Sequence, residues 1–326
     1  GAVHLAAANR TAAELPASFQ SFYNSYTEGP GIWKWSNALA AYDRFFAPMA
    51  GTPLKFAEVG VQSGGSIVMW KAVLGAQCHV FGLDINPAVN KFQDPMTRIT
   101  IGDQGDASMW WNFFAQTTGG PIDILVDDGG HEPHQMMVTL QSVFDNLTPG
   151  GLIAIEDIHG EHYVDSFFVP AAGYLAAKAQ WGQLSSVHMF PFLLIAKRAG
   201  NEHRAPLAFG GTTETVPGFA ELWAAIPRHY GGHVVLENPG WGPFLTEAGL
   251  GNFFRVFGGL HHSVWSDAPA GCQHTPAPVC TVTVSNAEMQ AVITGIHIYP
   301  TRLVVEVAGG PVTLNAVRHG TDWLPY

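Results

Sequence analysis

Positive charge is scarce in this chain: 15 Lys and Arg stand against 26 Asp and Glu in 326 residues, a formal net charge of −11. So acidic a surface suits neither the phosphates of nucleic acid nor an anionic membrane, and neither is an expected partner. Cysteine is scarcer still, with 3 residues, too few for a scaffold built on disulfides. No apolar run approaches the roughly 18 residues of a membrane span, so membrane insertion is not expected within this sequence. No three- or seven-residue period is present, which excludes collagen and coiled coil. Apolar material is plentiful. Hydrophobic residues make up 47%, beside 37 Gly and 22 Pro, which excludes a disordered chain. The length suggests about two domains, or one with an appendage.

Three regions differ in character. Residues 1–50 read as a helical preface or lid, with Tyr23, Tyr26, Trp33 and Trp35 around a Gly29-Pro30-Gly31 loop. Across residues 51–199, short apolar runs at 54–60, 79–84, 98–103, 122–128 and 151–157 alternate with helical patterns at 66–74, 107–116, 133–146 and 167–180. That alternation predicts an α/β fold: a Rossmann-like, doubly wound, mostly parallel sheet with right-handed crossovers. Runs at 184–190 and 192–197, split by Pro191, predict an antiparallel hairpin closing it. Residues 200–326 read as a β-containing appendage with strands at 280–284, 292–299 and 303–307. Its Trp241, Trp265 and Trp323 suit either a small core or a carbohydrate-binding module.

Cys78 lies in a strand pattern and is expected to be buried, while Cys272 and Cys280 flank a Pro-containing loop that suits a disulfide or two free thiols. Asn9-Arg10-Thr11 is a glycosylation acceptor pattern, whereas Asn146-Leu147-Thr148 reads as structural. The first residue is Gly1 rather than Met, as in a trimmed chain. Together these lean toward the secretory pathway or Golgi lumen, with the cytoplasm as the alternative. A homo-oligomer is compatible with all of this.

The residues with chemistry gather at the carboxyl ends of the predicted strands, where open parallel sheets bind ligands. The first strand runs into Glu58, Gly60, Gln62, Gly64, Gly65 and Ser66, a turn spaced G-x-x-x-G-G rather than G-x-G-x-x-G. Such a turn suits the amino-acid portion of S-adenosylmethionine, where no pyrophosphate needs a cradle. Asp84 ends the second strand and is placed to accept ribose hydroxyls; Asp103 and Gln104 end the third, within reach of an adenine edge. The fourth and fifth strands end in Asp127-Asp128-Gly129-Gly130-His131 and Glu156-Asp157. Carboxylates brought together there repel one another unless a cation intervenes, and oxygen donors select a hard ion such as Mg²⁺ or Mn²⁺. His131 suits a general base near neutral pH. With His134 and Asp128 it could instead make a two-His, one-carboxylate iron site of a hydroxylase.

These motifs, spanning roughly residues 20–198, resemble class I S-adenosylmethionine-dependent methyltransferases, and more closely the metal-dependent sugar O-methyltransferases of macrolide biosynthesis. The resemblance implies that Asp128, Glu156 and Asp157 bind Mg²⁺ or Mn²⁺ and that His131 is the base. It also implies that Glu58, Gly60, Gln62, Gly64, Ser66, Asp84, Asp103, Gln104 and Asp127 surround the cofactor. The implied acceptor is a sugar or glycan hydroxyl, with a catechol-type diol as the alternative. Gly130 stands where that pattern usually has serine.

Overall fold

The computed structural model describes residues 18–159, 162–200, 207–229, 231–237, 279–284 and 292–325. Asn9, Trp241, Trp265 and Cys272 lie outside them. The chain opens with α1 (Phe19–Ser25), β1 (Ile32–Trp35) and α2 (Ser36–Phe45). The alternating region follows: β2 (Leu54–Val59), α3 (Gly65–Leu74), β3 (Cys78–Asp84), β4 (Thr97–Ile101), α4 (Ala107–Asn112), β5 (Ile122–Asp127), α5 (Pro133–Phe144) and β6 (Leu147–Ile155). Then come α6 (Val169–Gln180), β7 (Leu184–Phe190) and β8 (Leu193–Arg198). The tail holds β9 (Thr213–Val216), α7 (Phe219–Ala225), β10 (Gly232–Glu237), β11 (Val279–Val284), β12 (Val292–Ile298), β13 (Arg302–Ala308) and β14 (Val312–His319).

Among the described residues, eleven strands form one sheet, ordered β4-β3-β2-β5-β6-β8-β7-β12-β13-β10-β9. The first five are parallel, and β8 and β7 close them antiparallel, as the α/β reading expected. Their near-continuous apolar sequences follow from burial on both faces. Phe113, Leu140, Leu175 and Leu222 belong to one core cluster; Phe19, Tyr42, Phe46 and Trp70 belong to the other. The strand order reverses between β2 and β5, which opens a crevice beyond their carboxyl ends.

Two expectations about the ends of the chain need correction. The tail strands β12, β13, β10 and β9 continue the central sheet rather than standing apart from it. The preface is not simply helical: β1 joins β14 and β11 in a second, three-stranded sheet. Its pairing partner is remote in sequence, which is why helical spacing alone passed over it. Cys78 is free and buried, and Cys280 is disulfide-bonded. Asn146 and Thr148 are tied to Ser142 and Asp123, the structural role expected of that triplet. Among the described residues no helix is long and apolar enough to cross a membrane.

Candidate active site

A cavity of about 470 Å³ opens at the strand-order reversal. Its floor carries Gly60, Gln62, Ser66, Asp84, Asp103 and Gln104, and one side carries Asp128, His131 and Asp157. A second wall, which meets that side where Lys34 bonds Asp128, comes from Trp33, Lys34, Leu324 and Pro325.

The turn after β2 is tight for a stated reason. Gly60 has φ +85°, and a Cβ there would run into the carbonyl oxygen of Asp128. Gln62 holds φ +46°, and its amide donates to Asp84 Oδ2 at 2.9 Å. The amide of Asn86 donates to Asp84 Oδ1 at 2.8 Å, so Asp84 is oriented from both sides while still lining the cavity. At the start of α3, Gly65 donates its amide to Gly31 O, 3.1 Å away. Gly64 packs against the Phe92 ring.

Gln104 lines the cavity and is bonded to Asp127, which lies outside the lining. Gln104 Nε2 lies 2.9 Å from both oxygens of Asp127, and its Oε1 accepts the Gly130 amide at 2.8 Å. Asp127 is buried beneath the cavity, and burial raises its pKa against the hydrogen bonds from Gln104 and Thr139. Glu58 is fully buried behind the floor, where its Oε2 accepts from Ser66 Oγ at 2.7 Å. Burial lifts its pKa to about 7 although Lys34 opposes the shift.

The acidic pairs from β5 and β6 divide. Asp128 and Asp157 reach the cavity with His131, and one ligand atom from each lies within 4.8 Å of the others. Glu156 points elsewhere: its Oε1 accepts from Lys34 Nζ at 2.8 Å and from the Tyr42 hydroxyl. The expected set of Asp128, Glu156 and Asp157 is therefore not the group that converges on the cavity, and Glu156 is corrected to a buried partner of Lys34. Burial and the neighbouring Asp128 raise its pKa to about 8. Nor does the two-histidine set assemble, since His131 and not His134 joins Asp128 in the converging group.

Asp157 and His131 both adopt positive φ, +56° and +57°, an uncommon backbone for side-chain-bearing residues that is often found at functional sites. Asp157 Oδ1 accepts from Trp35 Nε1 at 3.1 Å and faces His159 Nε2 at 2.9 Å. Burial pushes its pKa upward, but His131 and the bond from His159 outweigh this and hold it well below the usual range. His131 Nε2 lies 3.5 Å from Asp157 Oδ2 and 3.9 Å from Asp128 Oδ1, and its carbonyl accepts the Tyr163 hydroxyl.

Sequence reasoning missed Lys34. Its ammonium is buried, bonded to Asp128 and Glu156, and 3.7 Å from Glu58 Oε1. Burial alone would lower its pKa, yet Asp128, Glu156 and Glu58 hold it well above the ordinary lysine value. Strand β1 delivers it. Lys34 pairs with Val317, and the Tyr23 hydroxyl accepts the Lys34 amide at 2.9 Å. Three buried polar atoms of cavity-lining residues have no protein partner: Trp33 Nε1, His131 Nδ1 and Gln135 Oε1. Buried polar groups are rarely left unpaired, so the cavity suits a polar ligand.

Residues 57–158 match a protein family described as a methyltransferase domain. The 8-demethyl-8-alpha-L-rhamnosyl tetracenomycin-C 2'-O-methyltransferase of Streptomyces olivaceus is 30% identical over 142 residues, 41% of this chain and 36% of that protein. The demethylmacrocin O-methyltransferase of Streptomyces fradiae is 31% identical over 124 residues, 36% of this chain and 30% of that one. A solved structure of MycE methyltransferase from the mycinamycin biosynthetic pathway, with Mg and SAH, overlays 52% of this chain and 51% of its own at 22% identity and a TM-score of 0.44. The chain thus spans about a third of the length of the curated relatives it matches. The matched residues span the parallel half of the sheet, and the relatives are O-methyltransferases, the group its motifs resemble.

Proposed function

We propose that this protein transfers a methyl group from S-adenosylmethionine to a hydroxyl of a sugar or glycan. One observation carries the reading: a single cavity holds both the Asp84 carboxylate, suited to a nucleoside ribose, and the Asp128–His131–Asp157 group, suited to an acceptor hydroxyl. The matched domain and the sugar O-methyltransferases among its relatives support it.

In this reading Gly60 and Gln62 shape the donor's seat, and Asp84, fixed by two backbone amides, receives the ribose. His131 takes the proton as the acceptor oxygen bonds to the methyl carbon. The carbon–sulfur bond breaks, and the sulfonium charge disappears as an imidazolium charge forms. Asp157, 3.5 Å away, stabilises that imidazolium. Holding donor and acceptor in line supplies much of the acceleration.

Asp128 and Asp157, with His131 beside them, offer oxygen donors on one side of an open space, which fits a divalent ion such as Mg²⁺ or Mn²⁺. When bound, such an ion lowers the pKa of a hydroxyl it touches. The test is calorimetry with S-adenosylmethionine, followed by mass spectrometry of a panel of glycosides and catechols. Donor binding and the mass gain of one methyl group on a glycoside are expected. Absence of donor binding, or gain only on catechols, overturns the reading.

A further inference from the structure

Lys34 occupies the place where an ion bridging the ends of β5 and β6 would sit. Its ammonium joins Asp128, from the fourth parallel strand in sequence, to Glu156, from the fifth, and lies 3.7 Å from Glu58 Oε1. Glu58 is fully buried, and this ion pair supplies its counter-charge. The side chain has little freedom to leave. Its backbone is clamped between β14 and the Tyr23 hydroxyl, and the Tyr42 hydroxyl donates to the same Glu156 oxygen that accepts from Lys34.

We propose that Lys34 is a tethered cation that competes with divalent metal for Asp128 and Glu156. The wild-type chain therefore takes a metal only at the cavity edge, through Asp128 and Asp157 beside His131, and takes it weakly. The physical ground is simple. A buried carboxylate needs a positive partner, a lysine fixed in the fold supplies one permanently, and a second cation arriving a few ångströms away is repelled by the first. The proposal deepens the methyltransferase reading in its cation alone, and its test uses no methyl donor, so either can fail without the other.

The experiment is a calorimetric titration of the full chain with Mn²⁺, paired with melting curves in Mn²⁺ and in chelator. Lys34→Met is expected to bind Mn²⁺ at least about tenfold more tightly than wild type. It should melt below wild type in chelator and recover when Mn²⁺ is added. Lys34→Arg, which keeps a cation, should show no gain. Adding Glu156→Gln to Lys34→Met should erase the gain. Equal Mn²⁺ affinity in Lys34→Met and wild type overturns the proposal, and so does a gain that survives Glu156→Gln. If Lys34→Met fails to fold, two variants in the wild-type background decide. Asp157→Asn should weaken Mn²⁺ binding at least about tenfold, whereas Glu156→Gln should leave it unchanged. A comparable loss in Glu156→Gln shows that Glu156 is a metal ligand and overturns the proposal.

Discussion

The cavity has two walls of different origin. One is made by the ends of consecutive parallel strands, and its Gly60, Asp84, Asp128 and Asp157 sit where the chain leaves the sheet. The other joins Trp33 and Lys34 to Leu324 and Pro325, residues from opposite ends of the described chain drawn together by the β1–β14 ladder. The first wall supplies anions and a base. The second supplies the cation that neutralises them and the cover that shuts out water. Local sequence therefore sets the reactive groups, while long-range pairing sets their charge state and enclosure.

The sharpest way to separate the walls is to remove one functional group from each. Asp128→Ala is expected to lower turnover by about 10³-fold or more, while melting stays cooperative because Lys34 keeps Glu156 and Glu58 as partners. Trp33→Phe, which removes the unpaired Nε1 together with one ring of the indole, should lower it less than about tenfold. Comparable losses from the two would erase the distinction.

The glycines test the rigidity of each wall. A Cβ at Gly60 meets a backbone carbonyl and the residue has φ +85°, whereas a Cβ at Gly31 meets only the ring of Trp323. Chemical denaturation should show Gly60→Ala losing about 3 kcal/mol and Gly31→Ala about 1 kcal/mol, because a side chain can shift where a paired strand end cannot. Equal losses would mean the second wall is as fixed as the first.

The antiparallel half of the sheet should respond to acid. His188 Nδ1 lies 2.9 Å from His297 Nδ1, and His297 Nε2 faces Glu306 Oε1 at 3.1 Å, with Arg44 on the far side of that carboxylate. Burial drives His188 well below the ordinary histidine range, reinforced by His297 and Arg44; burial lowers His297 too, against the pull of Glu306. A depressed folded-state pKa adds stability that is complete above the unfolded value of about 6.5 and is lost as pH falls toward the folded one. Glu306, held at about 2 because His297 and Arg44 outweigh the opposing effect of burial, acts in the same direction at lower pH. Unfolding free energy should fall by about 2 kcal/mol between pH 7.5 and 5.5. His188→Phe should remove about half of that slope. A flat profile in the wild type would show that the pair takes up protons in the fold as readily as in the unfolded chain.

The same division explains what could be read before folding. Gly60, Asp84, Asp128 and His131 are legible because strand-to-helix turns are local, and a short apolar run ending in an acid announces itself. Asp128 and Asp157 line the cavity while Asp127 and Glu156 do not, because adjacent residues leaving a strand point in opposite directions. That alternation was available in the sequence and would have separated the buried acid of each pair from the exposed one. Gln104 turns inward because the buried Asp127 needs donors, a demand visible only once its burial is known. Lys34 lay inside a Trp33–Trp35 run that reads as aromatic packing, and no local spacing ties it to Val317 or to Asp128.

The smallest effect tests whether the second wall contributes binding or only cover. Ser63, buried just before α3, accepts the Leu324 amide at 2.9 Å and so fastens the last segment of that wall to the turn that shapes the donor's seat. Ser63→Ala touches no cavity-lining side chain, yet it frees the Leu324 amide at a cost of about 1 kcal/mol. If the segment must be fastened for the donor to be enclosed, that cost passes into affinity. Calorimetry should then show S-adenosylmethionine binding about fivefold more weakly, with turnover at saturating donor unchanged. An unaltered affinity would mean that the strand-end wall binds the donor unaided, and that Leu324 and Pro325 only keep water out.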